Sequence, residues 1–546
     1  MSVIHRQART SRPHCASTRP DFDWLVVGSG FGGSVAALRL AEKGYRVAVV
    51  ERGRRYADED LPSAASDTRR FVWAPKLGLR GIMRNVLFRH VFSSTQTGVG
   101  GGSLVYGGVL FRAQDGFYDD PQWSGIAKWD TVLAPHYATG ERMLGVRTTP
   151  WESETMRLSK ELAGHFGTEE LFAPAPVGVF FGEPGETVED PYFGGEGPPR
   201  TGCTRCGSCM VGCKLGAANR LTKNYLWFAE KHGAQILAER QVIDVSPLGV
   251  GDGSDGYRVV TESTGSRRSR GRRVFTAGGV VFAGGAVGTN ELLANCKHRG
   301  SLPRLSDRLG RLVRTNSEVV LSVLLPEDRE TWRDVTASSR VMLDRETQVE
   351  FLTYGRHGDF MRLLFTTLAG GGSHPRRLAK WLGNVLRHPR RWVATMRSGW
   401  STRTMMMLVM QARDNAITFR ARKRRFRPGY RLTTETDTAR PAPTHLEVGH
   451  QAAKWLAERT GGIPQSSIFE AFGDRPMTAH VLGGAVIGAD PARGVVDDRL
   501  RVFGYENLIV CDAAALPANP GVNPALTITA LAEHAMANIP AAAESA

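Results

Sequence analysis

The chain has no run of the roughly 18 or more consecutive apolar residues that a membrane-spanning helix needs. It carries no helix-turn-helix, zinc-finger or RNA-binding signature, which points away from nucleic acid as a partner. Cysteine is scarce, with seven in 546 residues, and four of these crowd between Cys203 and Cys213, unlike the spread-out bridges of a secreted scaffold. The basic, polar first 20 residues contain no apolar stretch, so neither a secretory signal nor an anchor is expected there. Residues 1–19 are expected to form a disordered arm, and the location expected is the cytoplasm.

Acidic residues run short, 54 against 70 Lys and Arg, for a net charge of +16. Between His374 and Arg403 there are none. That stretch sets Arg376, Arg377, Lys380, Arg387, Arg390, Arg391, Arg397 and Arg403 against a helical face of Leu378, Trp381, Leu382, Val385 and Leu386, followed by Trp392 and Trp400. The pattern fits a helix lying in a lipid interface, and equally a solvated basic face packed on the core.

What is present points to a large globular protein, 41% hydrophobic and 23% charged, long enough for more than one domain. The run Trp24-Leu25-Val26-Val27 ends in Gly28-Ser29-Gly30-Phe31-Gly32-Gly33 and continues at helical periodicity through Ala41. A second strand, Arg46 to Val50, ends at Glu51. This is the strand–turn–helix–strand unit of dinucleotide binding. Gly28 permits the turn, Gly30 lets backbone approach a pyrophosphate, Gly33 lets helix and strand pack closely, and Glu51 stands where a carboxylate can accept from ribose hydroxyls.

Between Gly98 and Gly108 six of eleven residues are glycine, around Leu104-Val105-Tyr106, which suits backbone pressed against a flat ligand. Tyr257 to Thr261 is expected to pair with Arg273 to Phe275, and Gly279 to Gly288 repeats the strand–glycine–helix step of a parallel sheet. From Ser317 to Ala442 the texture changes to alternating strands of an antiparallel sheet, in which Met405-Met406-Met407 read as core filling rather than cofactor contacts. Pro524 to Met536 reads as a helix with proline at its first position.

These pieces together resemble the glucose-methanol-choline (GMC) flavoprotein oxidoreductases, and within them the bacterial cholesterol oxidase-like branch. The resemblance rests on Gly28 to Glu51, Gly100 to Val105, Ala479-His480-Val481-Leu482-Gly483-Gly484 and Gly521-Val522-Asn523-Pro524 with Thr527 to Glu533, in family order from about residue 24 to residue 536. It implies an α/β fold: a Rossmann-like FAD domain of the glutathione-reductase type, with a discontinuous α+β substrate domain on a mostly antiparallel sheet. The division implied is 20–55, 90–145, 218–316 and 490–540 for FAD, and 56–89, 146–217 and 317–489 for substrate.

The resemblance also implies site roles. Gly28, Gly30 and Gly33 would hold the pyrophosphate, Glu51 the ribose and Val242 the adenine end. Gly102 and Gly107 would lie along the isoalloxazine, Asp512 and Ala513 would hold the ribityl and ring edge, and the helix after Pro524 would point its N-terminus at the flavin. His480 and Asn523 match the catalytic pair. The activity implied is oxidation of a secondary alcohol on a steroid-like apolar molecule, with hydride passing to flavin N5 and electrons to oxygen or another acceptor. Alternatives are a sugar or aromatic alcohol dehydrogenase, and a non-enzymatic, membrane-associated electron-transfer protein.

The chain departs from the pattern twice. Tyr106 stands where the cholesterol oxidases use an asparagine. No Glu occurs between Glu350 and Glu435, and the positions around Thr402 that align with their isomerising glutamate are not acidic, which counts against isomerisation and against cholesterol itself.

Cys203-x2-Cys206-x2-Cys209-x3-Cys213 has ferredoxin-type spacing, with Lys214 in place of the usual proline. The spacing brings thiolates within reach of one [4Fe–4S] cluster or one zinc, while buried thiols or a disulfide pair remain the alternative. A cluster would give electrons a route from the flavin to a partner acceptor.

Overall fold

In a computed structural model of the chain, residues 19–265, 271–425 and 429–542 are described. The arm expected at 1–19 therefore lies almost wholly outside the described residues.

Two seven-stranded sheets form the framework. The first is built on Phe22–Val27, whose run of apolar residues is buried on both sides as a central parallel strand must be. Val47–Val50 pairs with it in parallel on one side and Arg273–Phe282 on the other. The ten-residue strand Arg273–Phe282 changes partner along its length. Its first half takes the antiparallel hairpin, with Val259 opposite Phe275, as the sequence predicts. Its last three residues pair in parallel with Leu508–Val510, delivering Asp512 to the sheet's carboxyl edge.

The helix Phe31–Glu42 covers this sheet with ten of its twelve residues buried. Glycine is what allows so close a fit. A Cβ on Gly33 would sit 2.1 Å from the Gly28 carbonyl oxygen, and one on Gly32 would sit 1.6 Å from that of Cys511.

The second sheet runs Phe365–Thr367, Ile463–Ser467, Val319–Leu324, Thr404–Gln411, Thr347–Leu352, Ser339–Met342, Ala173–Pro174, and every neighbouring pair in it is antiparallel. One face packs Leu321, Val349, Met405 and Met407 toward the helices Glu154–Phe166 and Glu447–Thr460. The other carries Val320, Leu352, Met406 and Leu408 and looks toward the first sheet. The pleat therefore splits the three methionines. Met405 and Met407 fill core as expected, but Met406 faces an internal cavity.

The basic stretch forms the helices His374–Arg387 and Pro389–Thr395, packed on the core along part of one face. Trp381 is anchored by its indole N–H to Thr366 Oγ1 at 2.9 Å, Arg377 is buried in an ion pair with Asp474, and Trp400 is buried with its N–H on Gln465. Leu382, Leu386 and Val393 stay exposed among the arginines. No described helix is long and apolar enough to cross a membrane.

Candidate active site

A cavity of about 1380 Å³ lies between the two sheets. It exceeds the roughly 300–1,000 Å³ of a site for one drug-sized ligand, so it has room for a dinucleotide and a second molecule. Gly28, Gly30, Glu51, Gly102, Gly107, Val242, Asp512, Ala513, His480 and Asn523 all line it. Gly33 does not, because it lies behind the turn and packs against Gly28 and Ala283.

At the polar end, Gly28 has φ +103°, as the tight turn requires, while a Cβ on Gly30 would meet nothing within 4 Å, leaving its face open to the cavity. Three helices, Phe31–Glu42, Gly285–Arg299 and Ala525–Ala537, start at the wall; the first and last have no side-chain cap, while the Gly285 amide of the second is taken by Asp512. Convergence of uncapped helix N-termini suits phosphates and negative charge. The last helix begins at Ala525, so Pro524 is its N-cap residue rather than its first turn.

Glu51 accepts from the Ser29 amide and hydroxyl at 3.2 and 2.8 Å, and from the Gly53 and Gly98 amides at 2.8 and 3.2 Å. Its four lone-pair sites are thus taken. Only the Ser29 hydroxyl can rotate away, to the Gly98 carbonyl at 3.3 Å, freeing one carboxylate oxygen for a ribose. Asp512 accepts from Gly285, Thr289 and Ala514, and burial pushes its carboxyl up to about 6.

Tyr106 packs edge-on against Phe31 at 5.4 Å and donates its buried hydroxyl to the Asn219 carbonyl. Gly102 sits in a short turn, and a Cβ on Gly107 would press Thr336 at 3.2 Å.

At the other end His480 and Asn523 meet under the antiparallel sheet. The Nδ1 of His480 is hydrogen-bonded to Glu318 Oε1, and the other Glu318 oxygen accepts the Ala479 amide at 3.1 Å. Burial works against charge on His480, yet the charge and hydrogen bond of Glu318, with Glu350 behind, raise its pKa above the ordinary value. Among the described residues none takes Nε2.

Asn316 fastens this corner together. Its amide N–H donates to the Asn519 side-chain oxygen at 2.8 Å, while its side chain donates to the Val522 carbonyl at 3.0 Å and accepts from the Gly521 amide at 3.1 Å. Asn316 and Ser317 both sit at positive φ, 56° and 50°, which turns the chain so that Glu318 enters the site. The buried Oδ1 of Asn523 has no partner and is free to accept from a ligand.

Glu350 is buried beside Asn523 on the strand Thr347–Leu352, accepting from Gln348 at 2.8 Å. Burial pushes its carboxyl up to about 7, with Asn523 and His480 limiting the rise. Thr402 lies in a turn away from the cavity; Glu318 is the strand-end carboxyl on the cavity wall, and Glu350 lies buried behind Asn523 and His480. Sequence inspection missed Glu350 and Glu318, although Glu318 directly before the apolar run Val319–Leu324 was a usable signal.

The C-terminal part of the chain, residues 395–532, matches the family model described as GMC oxidoreductase, and residues 26–57 match the NAD(P)-binding Rossmann-like domain. The chain is 43% identical over 532 residues to a cholesterol oxidase of Mycobacterium tuberculosis, spanning 95% of this chain and 91% of that one. It is 41% identical over 529 residues to a cholesterol oxidase of Acinetobacter baumannii, spanning 95% of each. The chain belongs to the GMC oxidoreductases.

As a GMC oxidoreductase it acts on CH–OH donors, and the family implies FAD. The residues present fit that group. An open Gly30 face, two uncapped helix N-termini and one releasable Glu51 oxygen line a single cleft. The fold agrees: pyridoxine 4-oxidase from Mesorbium loti superposes with TM-score 0.60 at 15% identity, over 94% of this chain and 98% of that one.

The four cysteines sit outside this cleft, on a loop behind Tyr106 and Thr336. No two of the four are bonded to each other in this structure. Burial pushes Cys203 up to about 12 and Cys209 higher still, which makes both poor nucleophiles.

Proposed function

We propose that this enzyme oxidises a secondary alcohol on a steroid-like apolar molecule. The carrying observation is that the cavity's far end is walled by Val320, Leu352, Met361, Leu364, Met406 and Leu408, directly beyond His480 and Asn523. A rigid hydrocarbon body fits there with its hydroxyl at the polar pair, whereas a sugar would leave its hydroxyls facing aliphatic walls. The relatives' names, cholesterol oxidases, support the same substrate class.

In this reading Gly28, Gly30, Glu51, Val242, Asp512 and Ala513 hold FAD, and Gly33 packs the turn that shapes the cradle. Gly102, Gly107 and the Ala525–Ala537 helix N-terminus border its ring. When bound, FAD supplies the acceptor for hydride from the carbinol carbon, and its electrons pass to oxygen or another acceptor. His480, held by Glu318 at Nδ1, presents Nε2 to take the hydroxyl proton. Asn523, on the same wall, positions the alcohol so that its single hydroxyl proton points at Nε2. The parallel sheet serves the cofactor and the antiparallel sheet the substrate.

Glu350 favours a second step. Its carboxyl, near pKa 7 and buried just behind Asn523 and His480, would reach the cavity through a side-chain shift at Asn523, take a proton from the carbon next to the new carbonyl and return it two carbons along, moving a double bond into conjugation.

The exposed Phe360 and Leu363 line the cavity, and Leu382 and Leu386 are exposed on the basic helix. We read these side chains as a docking surface for anionic lipid, from which an insoluble alcohol can enter the cavity. Purified enzyme given a 3β-hydroxysteroid anaerobically should lose its flavin absorbance and release a ketone. Bleaching by a sugar or benzylic alcohol but not by the steroid would overturn the substrate assignment.

A further inference from the structure

Cys203, Cys206, Cys209 and Cys213 take no part in alcohol chemistry, yet all four line one small hollow, which Val179, Leu215, Ala217 and Ala218 wall on the apolar side and Thr204, Ser208 and Asp334 on the polar side. A protein interior closes such a space with side chains unless something else fills it. Two conformations bring the thiols around it: Gly207 at φ +68° and Gly212 at φ +128°, with Gly207 so close to the Trp332 carbonyl that a Cβ would lie 2.2 Å from its oxygen. The Arg205 amide donates to Cys203 Sγ at 3.4 Å and the Thr336 amide to Cys209. Backbone donors on cysteine sulfur are among the interactions that set an iron–sulfur potential.

Zinc fits poorly. Tetrahedral zinc with bonds near 2.3 Å needs thiolates about 3.8 Å apart, and no three of these sulfurs lie mutually within 4.8 Å. We infer that these four cysteines ligate a [4Fe–4S] cluster that serves as the electron outlet of the alcohol site.

The hollow adjoins the large cavity across one layer of residues. Met210, between two of the ligands, lines the large cavity, and so do Tyr106 and Thr336, which border Cys209. On the far side Cys206 is exposed, beneath Arg205 stacked on Trp151 at 4.7 Å and Arg356 stacked on Trp332 at 4.5 Å. That basic rim suits a one-electron acceptor protein with an acidic surface. Oxidation of one alcohol to a carbonyl releases two electrons and two protons. A cluster cycling between two oxidation states would pass the electrons singly to two acceptor molecules, and the protons would leave to solvent. The outlet rests on the alcohol oxidation proposed above, whereas the cluster does not.

The test is iron, sulfide and zinc analysis with electron paramagnetic resonance on full-length protein purified anaerobically and reconstituted with iron and sulfide. About four iron and four sulfide per chain are expected, with a reduced-cluster signal on adding dithionite. Cys209→Ser and Cys203→Ser should lose iron and signal while keeping bound flavin, and retained flavin shows that the variants fold. Iron-free protein, or stoichiometric zinc, overturns the cluster. A signal raised by dithionite but not by the steroid alcohol keeps the cluster and overturns the outlet. If His480→Ala abolishes only the alcohol-driven signal, the two proposals stand together.

Discussion

Glu318 holds the Nδ1 of His480, so a carboxylate with no exposed side-chain surface orients the imidazole that borders the substrate end of the cavity. The pair joins the start of one antiparallel strand to a glycine-bordered turn 162 residues further along the chain. It fixes the tautomer with the proton on Nδ1 and leaves Nε2 as the acceptor.

Replacement of His480 by Ala should lower turnover by roughly 10²- to 10⁴-fold, the usual contribution of a positioned acid–base group. Flavin content should stay unchanged, since no cofactor cradle residue bonds the ring. Stopped-flow flavin reduction by the alcohol measures it directly.

The pH dependence has a definite sign. His480 must be neutral at Nε2 to accept a proton, and Glu318 raises its pKa above the ordinary value. Flavin reduction should therefore rise with pH through a limb lying above about 6.5, the unperturbed histidine value. Glu318→Gln removes the charge and should move that limb to lower pH, as a pH series of flavin-reduction rates will show.

Glu350→Gln separates the two chemical steps. Oxidation should persist within a few-fold, while the conjugated ketone should form at least about 10²-fold more slowly, so that the unconjugated ketone accumulates. Chromatography of products decides it. Equal loss of both steps would instead place Glu350 in positioning Asn523 or His480.

Gly30 and Gly33, in the same glycine-rich turn, should behave differently. Gly33→Ala forces a Cβ toward the Gly28 carbonyl oxygen and should cost about 1–3 kcal/mol of stability. Gly30→Ala meets no protein atom, so the chain should melt like the parent yet hold less FAD. Thermal melts and bound-flavin absorbance distinguish the two.

Leu382→Ser with Leu386→Ser should weaken sedimentation with anionic vesicles while leaving turnover of a detergent-dispersed alcohol intact, because both side chains are exposed and neither lines the cavity. Unchanged vesicle binding would assign the basic helix to the solvated role.

Local chemistry carried what was legible in the sequence. The turn at Gly28, the close packing at Gly33, the strand pair at Val259 and Phe275, and the places of His480 and Asn523 all follow from residues near one another in the chain, where glycine, apolar periodicity and motif spacing act directly. Glu318 and Glu350 were hidden because each enters the site from a separate strand. The pleat decides which side of the sheet a residue faces, and Asn316, bonded across 206 residues to Val522, decides that these strands meet the Asn523 turn. The same holds for Met406 among three methionines, for Trp400, and for four cysteines whose spacing shows that they can converge. Convergence around one hollow, a layer of side chains from the large cavity, is a property of packing between distant segments, and only the tertiary structure decides it.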